Sequence, residues 1–165
     1  MLFNLSNSAP PSATGVHMMH SVPQTSANVR QVVPFFRVSD MQQSVRFYSD
    51  ALGFSMKHQW IVDGKLRWCW LTLGEASLML QEFNARSQDT PSEGQKVGLG
   101  VSLSFQCEDA LALFREFTSR GVAVQEPFVG NRMWVVMLSD PDGYHLEFES
   151  PTDTPEETKL SDLKY

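Results

Sequence analysis

The sequence predicts an α+β fold: two tandem β-α-β-β-β modules, in each of which one strand face buries against the helix and the other is left for a cleft. Three observations carry this. Short runs of alternating apolar residues are separated by turn pairs at Asp63-Gly64 and Gly130-Asn131 and by Asp140-Pro141-Asp142-Gly143. Two stretches of helical period, one after Asp40 and one after Asp109, each precede three such strands. The second half also repeats the first. A shift of 69 lays Phe36 on Phe105, Asp40 on Asp109, Val45 on Phe114, Arg46 on Arg115 and Tyr48 on Phe117. Gly53 meets Gly121 at a shift of 68, and Trp68 meets Trp134 at 66.

The elements follow in order. Residues 1–30 are rich in Ser, Pro, Asn and Thr without periodicity and read as a flexible leader; the His17/His20 pair within it reads as chance. Module one spans 31–83. Residues 31–38 are extended and apolar. Asp40 then caps a helix, with Gln43 at the capping-box position, Met41, Val45, Tyr48 and Leu52 on its apolar stripe, and Gly53 stopping it. A hairpin turning at Asp63-Gly64 and a strand "SLMLQEF" complete the unit. A polar linker, 84–98, leads to module two, 99–150, which runs "VGLGVSLSFQC", "DALALFREFTSR" and three more strands. The tail, 151–165, is polar, and Thr154-Pro155 marks a short helix start there.

Composition excludes several classes of function. The chain has 165 residues, enough for one domain with a real core. Its net charge of −6 argues against nucleic acid and anionic membrane as partners, since both reward clustered Lys and Arg. No apolar run approaches the roughly 20 residues of a membrane helix. Cys69 and Cys107 sit far apart in apolar segments, which reads as free buried thiols in a reducing, cytoplasmic setting.

Strand alternation assigns faces. Tyr144, Leu146 and Phe148 pack under a helix, so His145, Glu147 and Glu149 face the cleft. By the same argument Phe35 and Arg37, Met79, Gln81 and Phe83, and Ser102, Ser104 and Gln106 face it too. A two-residue turn at Asp63-Gly64 opposes Gln59 to Trp68 and His58 to Cys69. Trp68 and Trp70 then face the cleft and His58 the core, although a one-residue slip of register reverses these assignments. A turn at Gly130-Asn131 places Trp134 and Gln125 in the cleft.

The duplicated unit, with "FRVSDMQQSVRFYSDALGF" and "LSDPDGYHLEFES", resembles the vicinal oxygen chelate superfamily, the group of glyoxalase I, extradiol dioxygenases and bleomycin-resistance proteins, over residues 31–150. The resemblance implies two curved mixed sheets forming one cleft, with the helices on the outer faces, often in a homodimer with clefts at the subunit boundary. In metal-dependent relatives the ligands come from the first, fourth, fifth and eighth strands. Here those positions hold Val33, Met79 or Gln81, Ser102 and Glu147. Of these, Glu147 alone is a good ligand, so the set implies no metal cofactor, a divalent ion at Glu147 being the exception to test.

Two functions are therefore expected as alternatives. One is metal-free binding of a small aromatic or cationic ligand, of the antibiotic-sequestration type. Phe35, Trp68, Trp70, Phe83 and Trp134 offer ring faces; Arg37, Gln81, Ser102, Ser104, His145, Glu147 and Glu149 offer polar groups. The other is a lyase, isomerase or dioxygenase acting on a vicinal-oxygen substrate, with a metal or with Glu147 as general base.

Overall fold

The computed structural model describes residues 28–83 and 96–163. The chain divides into two compact units between Gln31 and Val32. Of the first unit, residues 28–31 are described, and they are exposed. The expected leader up to residue 27, His17 and His20 included, and residues 84–95 of the expected linker lie outside the described residues. All that follows concerns the second unit.

Module one runs β1 (Phe35–Val38), α1 (Met41–Val45), β2 (Ser55–Val62), β3 (Lys65–Leu73) and β4 (Ala76–Glu82). Module two runs β5 (Ser102–Gln106), α2 (Ala110–Ser119), β6 (Phe128–Gly130), β7 (Met133–Ser139) and β8 (His145–Pro151). The sheet orders are the same in both, β1-β4-β3-β2 and β5-β8-β7-β6. In each, the first strand pairs in parallel with the last, and the remaining pairs are antiparallel. The expected α+β architecture of two β-α-β-β-β units is the observed one.

The helices start as their caps require. The Asp40 and Asp109 side chains accept from the amides of Gln43 and Ala112, filling donors that a helix start leaves orphaned. Helix α1 runs on as a π-helical segment, Arg46–Ala51, in which the Leu52 amide donates back to Phe47. Tyr48 and its repeat mate Phe117 are wholly buried. One core results: Phe36, Val38, Leu71, Leu78 and Leu80 belong to the same cluster as Val136, Leu138, Leu146 and Phe148.

The modules meet through their helix-bearing sides. Phe36 stacks on Tyr144 with centroids 3.8 Å apart, and Phe54 meets Phe105 edge-on. A buried polar joint crosses the same boundary. The Tyr48 hydroxyl donates to Asp140 at 3.0 Å, and the Ser39 amide and Ser44 hydroxyl donate to Asp142. Asp140 also gathers the amides of Asp142 and Tyr144, which closes the turn before β8. Gly98 fits under that turn because a side chain there would run into the Gly143 and Tyr144 backbone.

The two sheet edges end differently. Residues after β8 fold back along β6. Val129 exchanges backbone bonds with Glu157 and Thr158, and the Leu160 amide donates to Pro127. Thr154-Pro155 opens a turn there instead of the expected helix, and a 3-10 turn follows at Leu160–Asp162. Strand β2 carries no such cover among the described residues; it is exposed from Ser55 to Ile61.

Candidate functional site

Each sheet has one face under its helix and one face open. The registers lay out the open face of module one in two rows: Phe35, Met79, Trp70 and His58, then Arg37, Gln81, Trp68 and Trp60. Phe83 continues the face beyond β4, with the Arg37 guanidinium 5.5 Å above its ring centroid. His58 and Trp70 meet edge-on. Trp60 is 55% exposed and Phe35 48%, so the rings form a wall that a ligand can reach.

The open face of module two has three rows. Ser102, His145 and Ser139 form the first. Ser104, Glu147 and Met137 form the second. Gln106, Glu149, Val135 and Phe128 form the third. Its carboxylates are not alike. Glu149 accepts from the Ser104 hydroxyl at 2.7 Å and from the Gln106 side-chain amide, which also donates to Ser104. Glu147 has no hydrogen-bond or ion-pair partner among the described residues. The Ser139 hydroxyl lies 3.3 Å from Nδ1 of His145.

The structure thus brings together Phe35, Arg37, Trp68, Trp70, Gln81 and Phe83 on one face, and Ser102, Ser104, His145, Glu147 and Glu149 on another. It corrects two assignments. Trp134 is 7% exposed and pairs with Val129 and Ser150 on the helix side. The reason is alternation along β7: Trp134 shares its face with Val136 and Leu138, which oppose Phe148 and Leu146 in the core, while the hairpin itself turns at Asn131-Arg132, both left-handed (φ 52 and 60), and not at Gly130-Asn131. Moving a two-residue turn by one residue shifts the pairing by two and leaves the facing unchanged, so it is alternation along β7 that decides it. His58 is the second. The Asp63-Gly64 turn forms as expected, but one extra residue on β3, Arg67, opposite the Trp60–Ile61 step moves the register by one, so His58 opposes Trp70 and Trp60 opposes Trp68; a second shift, at Lys57, restores it. A bulge adds one residue to one strand and flips the facing beyond it.

Several open-face residues are absent from the sequence-derived set: Trp60, His58, Phe128, Val135 and Met137. The signal for the last three was present, because alternation from Glu147 across an Asn131-Arg132 turn reaches them. Trp68 and Trp134 are also not repeat mates. Trp68 occupies the row place of Val135, as the pairings through Gln81 and Glu149 show.

The same pairings resolve the fourth-strand position. Met79 opposes Phe35 as Glu147 opposes Ser104, so Met79 is the mate of Glu147. A thioether, a valine before β1 and a serine opposite His145 are poor company for a hard or borderline cation. The residues present do not fit the metal site of metal-dependent relatives. Among the described residues no three His, Cys, Asp or Glu side chains gather in a way that holds a metal ion.

Burial shapes the remaining titratable groups. It pushes the Cys69 thiol up to about 11 and raises Cys107, which leaves both as neutral, weakly nucleophilic thiols. It raises Asp140 above the usual carboxylate range, and it raises Tyr48 with help from the Asp140 charge. A groove of about 380 Å³ lies at the module joint, lined by residues such as Gln43, Phe47, Lys96, Arg120 and Asp140; it contains none of the expected ligand-binding residues.

Among the described residues no hydrogen bond, ion pair or ring pair joins the two open faces. No helix among them is long and apolar enough to cross a membrane.

Comparison with solved structures gives the same fold at low identity. The chain is similar to TnmS3, an antibiotic binding protein from Streptomyces sp. CB03234, at 23% identity and a TM-score of 0.55, over 74% of this chain and 98% of that one. It is similar to TioX from Micromonospora sp. ML1 at 16% identity and a TM-score of 0.60, over 74% and 99%. A glyoxylase/bleomycin resistance protein/dioxygenase domain from Frankia sp. EAN1pec matches at 20% identity and a TM-score of 0.58, over 76% and 99%. No curated protein matches the sequence. The family model of the glyoxalase/bleomycin resistance protein/dioxygenase superfamily matches residues 28–148, most of the chain. With the duplicated sheet order, the match places the sequence: the chain belongs to that superfamily.

Proposed function

We propose that the protein is a metal-free binder of a small, flat, cationic aromatic molecule, of the antibiotic-sequestration type. The observation that carries this is the aromatic wall of module one, where Trp68, Trp70, Trp60 and Phe35 stand on one reachable sheet face. Ring faces attract flat molecules by stacking and cations by their quadrupole. Module two adds carboxylates at Glu147 and Glu149, which favour positive charge. An antibiotic binding protein among the similar structures supports the ligand class.

The two open faces do not meet within the described chain, so the reading includes a homodimer. A second copy sets the acidic face of its module two against the aromatic face of module one, enclosing a ligand that neither face encloses alone. The free thiols Cys69 and Cys107 support a cytoplasmic setting.

Three of the four tryptophans lie on the open face, so intrinsic fluorescence reports on it. Titration with bleomycin at tens of micromolar is expected to give saturable quenching, lost in a Trp68→Ala, Trp70→Ala variant. A flat titration overturns this ligand class. Elemental analysis of protein purified without chelator is expected to find no stoichiometric transition metal, and finding one overturns the metal-free reading.

A further inference from the structure

We propose that Glu147, and not Glu149, is the residue by which the open face of module two selects a cationic ligand. The inference rests on the ligand-binding reading above and assigns its charge specificity to one side chain. The two carboxylates stand two residues apart on β8, about 7 Å between Cα atoms, and point to the same face. Sequence alone cannot rank them; their surroundings can.

Glu149 is already engaged. Ser104 and Gln106 both donate to its Oε2, and Gln106 also donates to Ser104, so the three side chains form a closed set along the β5–β8 seam. A ligand cation seated there competes with donors that are covalently tethered and in place. Glu147 is flanked across the sheet by Ser104 and Met137. The Ser104 hydroxyl is turned to Glu149, and a thioether donates nothing. Among the described residues, then, no tethered donor competes with a ligand cation for Glu147.

The other charged or titratable groups of this face do not change the ranking. His145 lies in the next row, against Ser139. Lys159 pairs with Phe128 at the far rim, three strand spacings or about 14 Å from Glu149. No cation on the described face neutralises Glu147. Met137, Val135 and Phe128 beside the carboxylates give the uncharged part of a ligand an apolar seat.

The test uses two probes with one ring system: N-methylacridinium, a permanent cation, and acridine, neutral above neutral pH. Affinities for both are measured by fluorescence with the full chain, and the ratio is the readout. The wild type is expected to prefer the cation, with the preference shrinking as salt rises. Glu147→Gln is expected to cut the ratio about ten-fold while leaving acridine binding nearly unchanged, a loss of about 1.4 kcal/mol in selectivity. Glu149→Gln is expected to weaken both probes alike and keep the ratio within about two-fold, since it loosens Ser104 and Gln106 without removing the selecting charge. Both positions are partly exposed, and unchanged unfolding midpoints confirm that the variants fold. A ratio unmoved by Glu147→Gln, or abolished by Glu149→Gln, overturns the assignment while leaving the binding reading intact. Failure of the wild type to bind either probe overturns both.

Discussion

On their helix sides the two modules hold matching residues; on their open sides they do not. Phe36 and Phe105, Tyr48 and Phe117, Asp40 and Asp109, and Gly53 and Gly121 serve one purpose each in both halves. Across the sheets, Phe35 stands where Ser104 stands, Met79 where Glu147 does, Gln81 where Glu149 does, Trp70 where Met137 does, and Trp68 where Val135 does. Close packing admits few solutions, so the buried sides agree. The open sides are constrained by what they contact, and one half has become aromatic while the other has become acidic. On the proposed reading, a pocket built from one of each recognises a molecule with two unlike parts.

The sharpest way to break this comparison is through its tryptophans. Trp134→Ala removes a ring packed on Val129 and Ser150 and is expected to cost about 3–5 kcal/mol in denaturant unfolding. Trp68→Ala, on the open face, is expected to cost roughly 1 kcal/mol, consistent with partial exposure. Equal costs would mean that the faces are wrongly assigned.

Truncation after Pro151 comes next. It strips three backbone bonds from the β6 edge together with Leu163, a loss of roughly 3 kcal/mol. Hydrogen exchange is expected to show the Val129 amide losing its protection, so that β6 behaves like β2.

Tyr48→Phe is smaller. It makes the helix residue match its mate Phe117 and removes one of three donors to buried Asp140, for about 2 kcal/mol. No loss would mean that the joint does not depend on its hydroxyl.

The smallest effect is in pH. Burial raises Asp140 in the folded state, so its contribution favours folding below the ordinary aspartate range and is lost as pH rises through the raised value. The stability of wild type relative to Asp140→Asn is therefore expected to fall as pH climbs from the ordinary aspartate range to neutral. A constant difference would show that Asp140 titrates as it does in the unfolded chain.

The repeat, both caps and the sheet order were legible because each rests on local signals: an Asp before an apolar stripe, a Gly after it, alternation between turns. The open face of module two was legible on β5 and β8 for the same reason. What escaped was register. Gly130-Asn131 and Asn131-Arg132 are both acceptable turn pairs on composition, and which face of β7 meets the helix is set by the pairing of Val136 and Leu138 with Phe148 and Leu146 on β8. The bulges of the β2–β3 hairpin left no mark in the sequence, because neither Arg67 nor Lys57, the extra residues, is a residue type that signals one. The unequal state of Glu147 and Glu149 likewise depends on which neighbour reaches which oxygen.

The β2 edge, uncovered among the described residues, has a practical consequence. A long strand edge showing free backbone groups, with Trp60 and Ile61 more than half exposed on it, is a template on which further strands can grow. In concentrated solution, sheet-to-sheet growth should start there and not at β6, which the tail seals. Within Ser55–Val62 the one formal charge opposing it is Lys57, so neutralising that lysine should lower the solubility of this protein more than neutralising any lysine elsewhere on its surface.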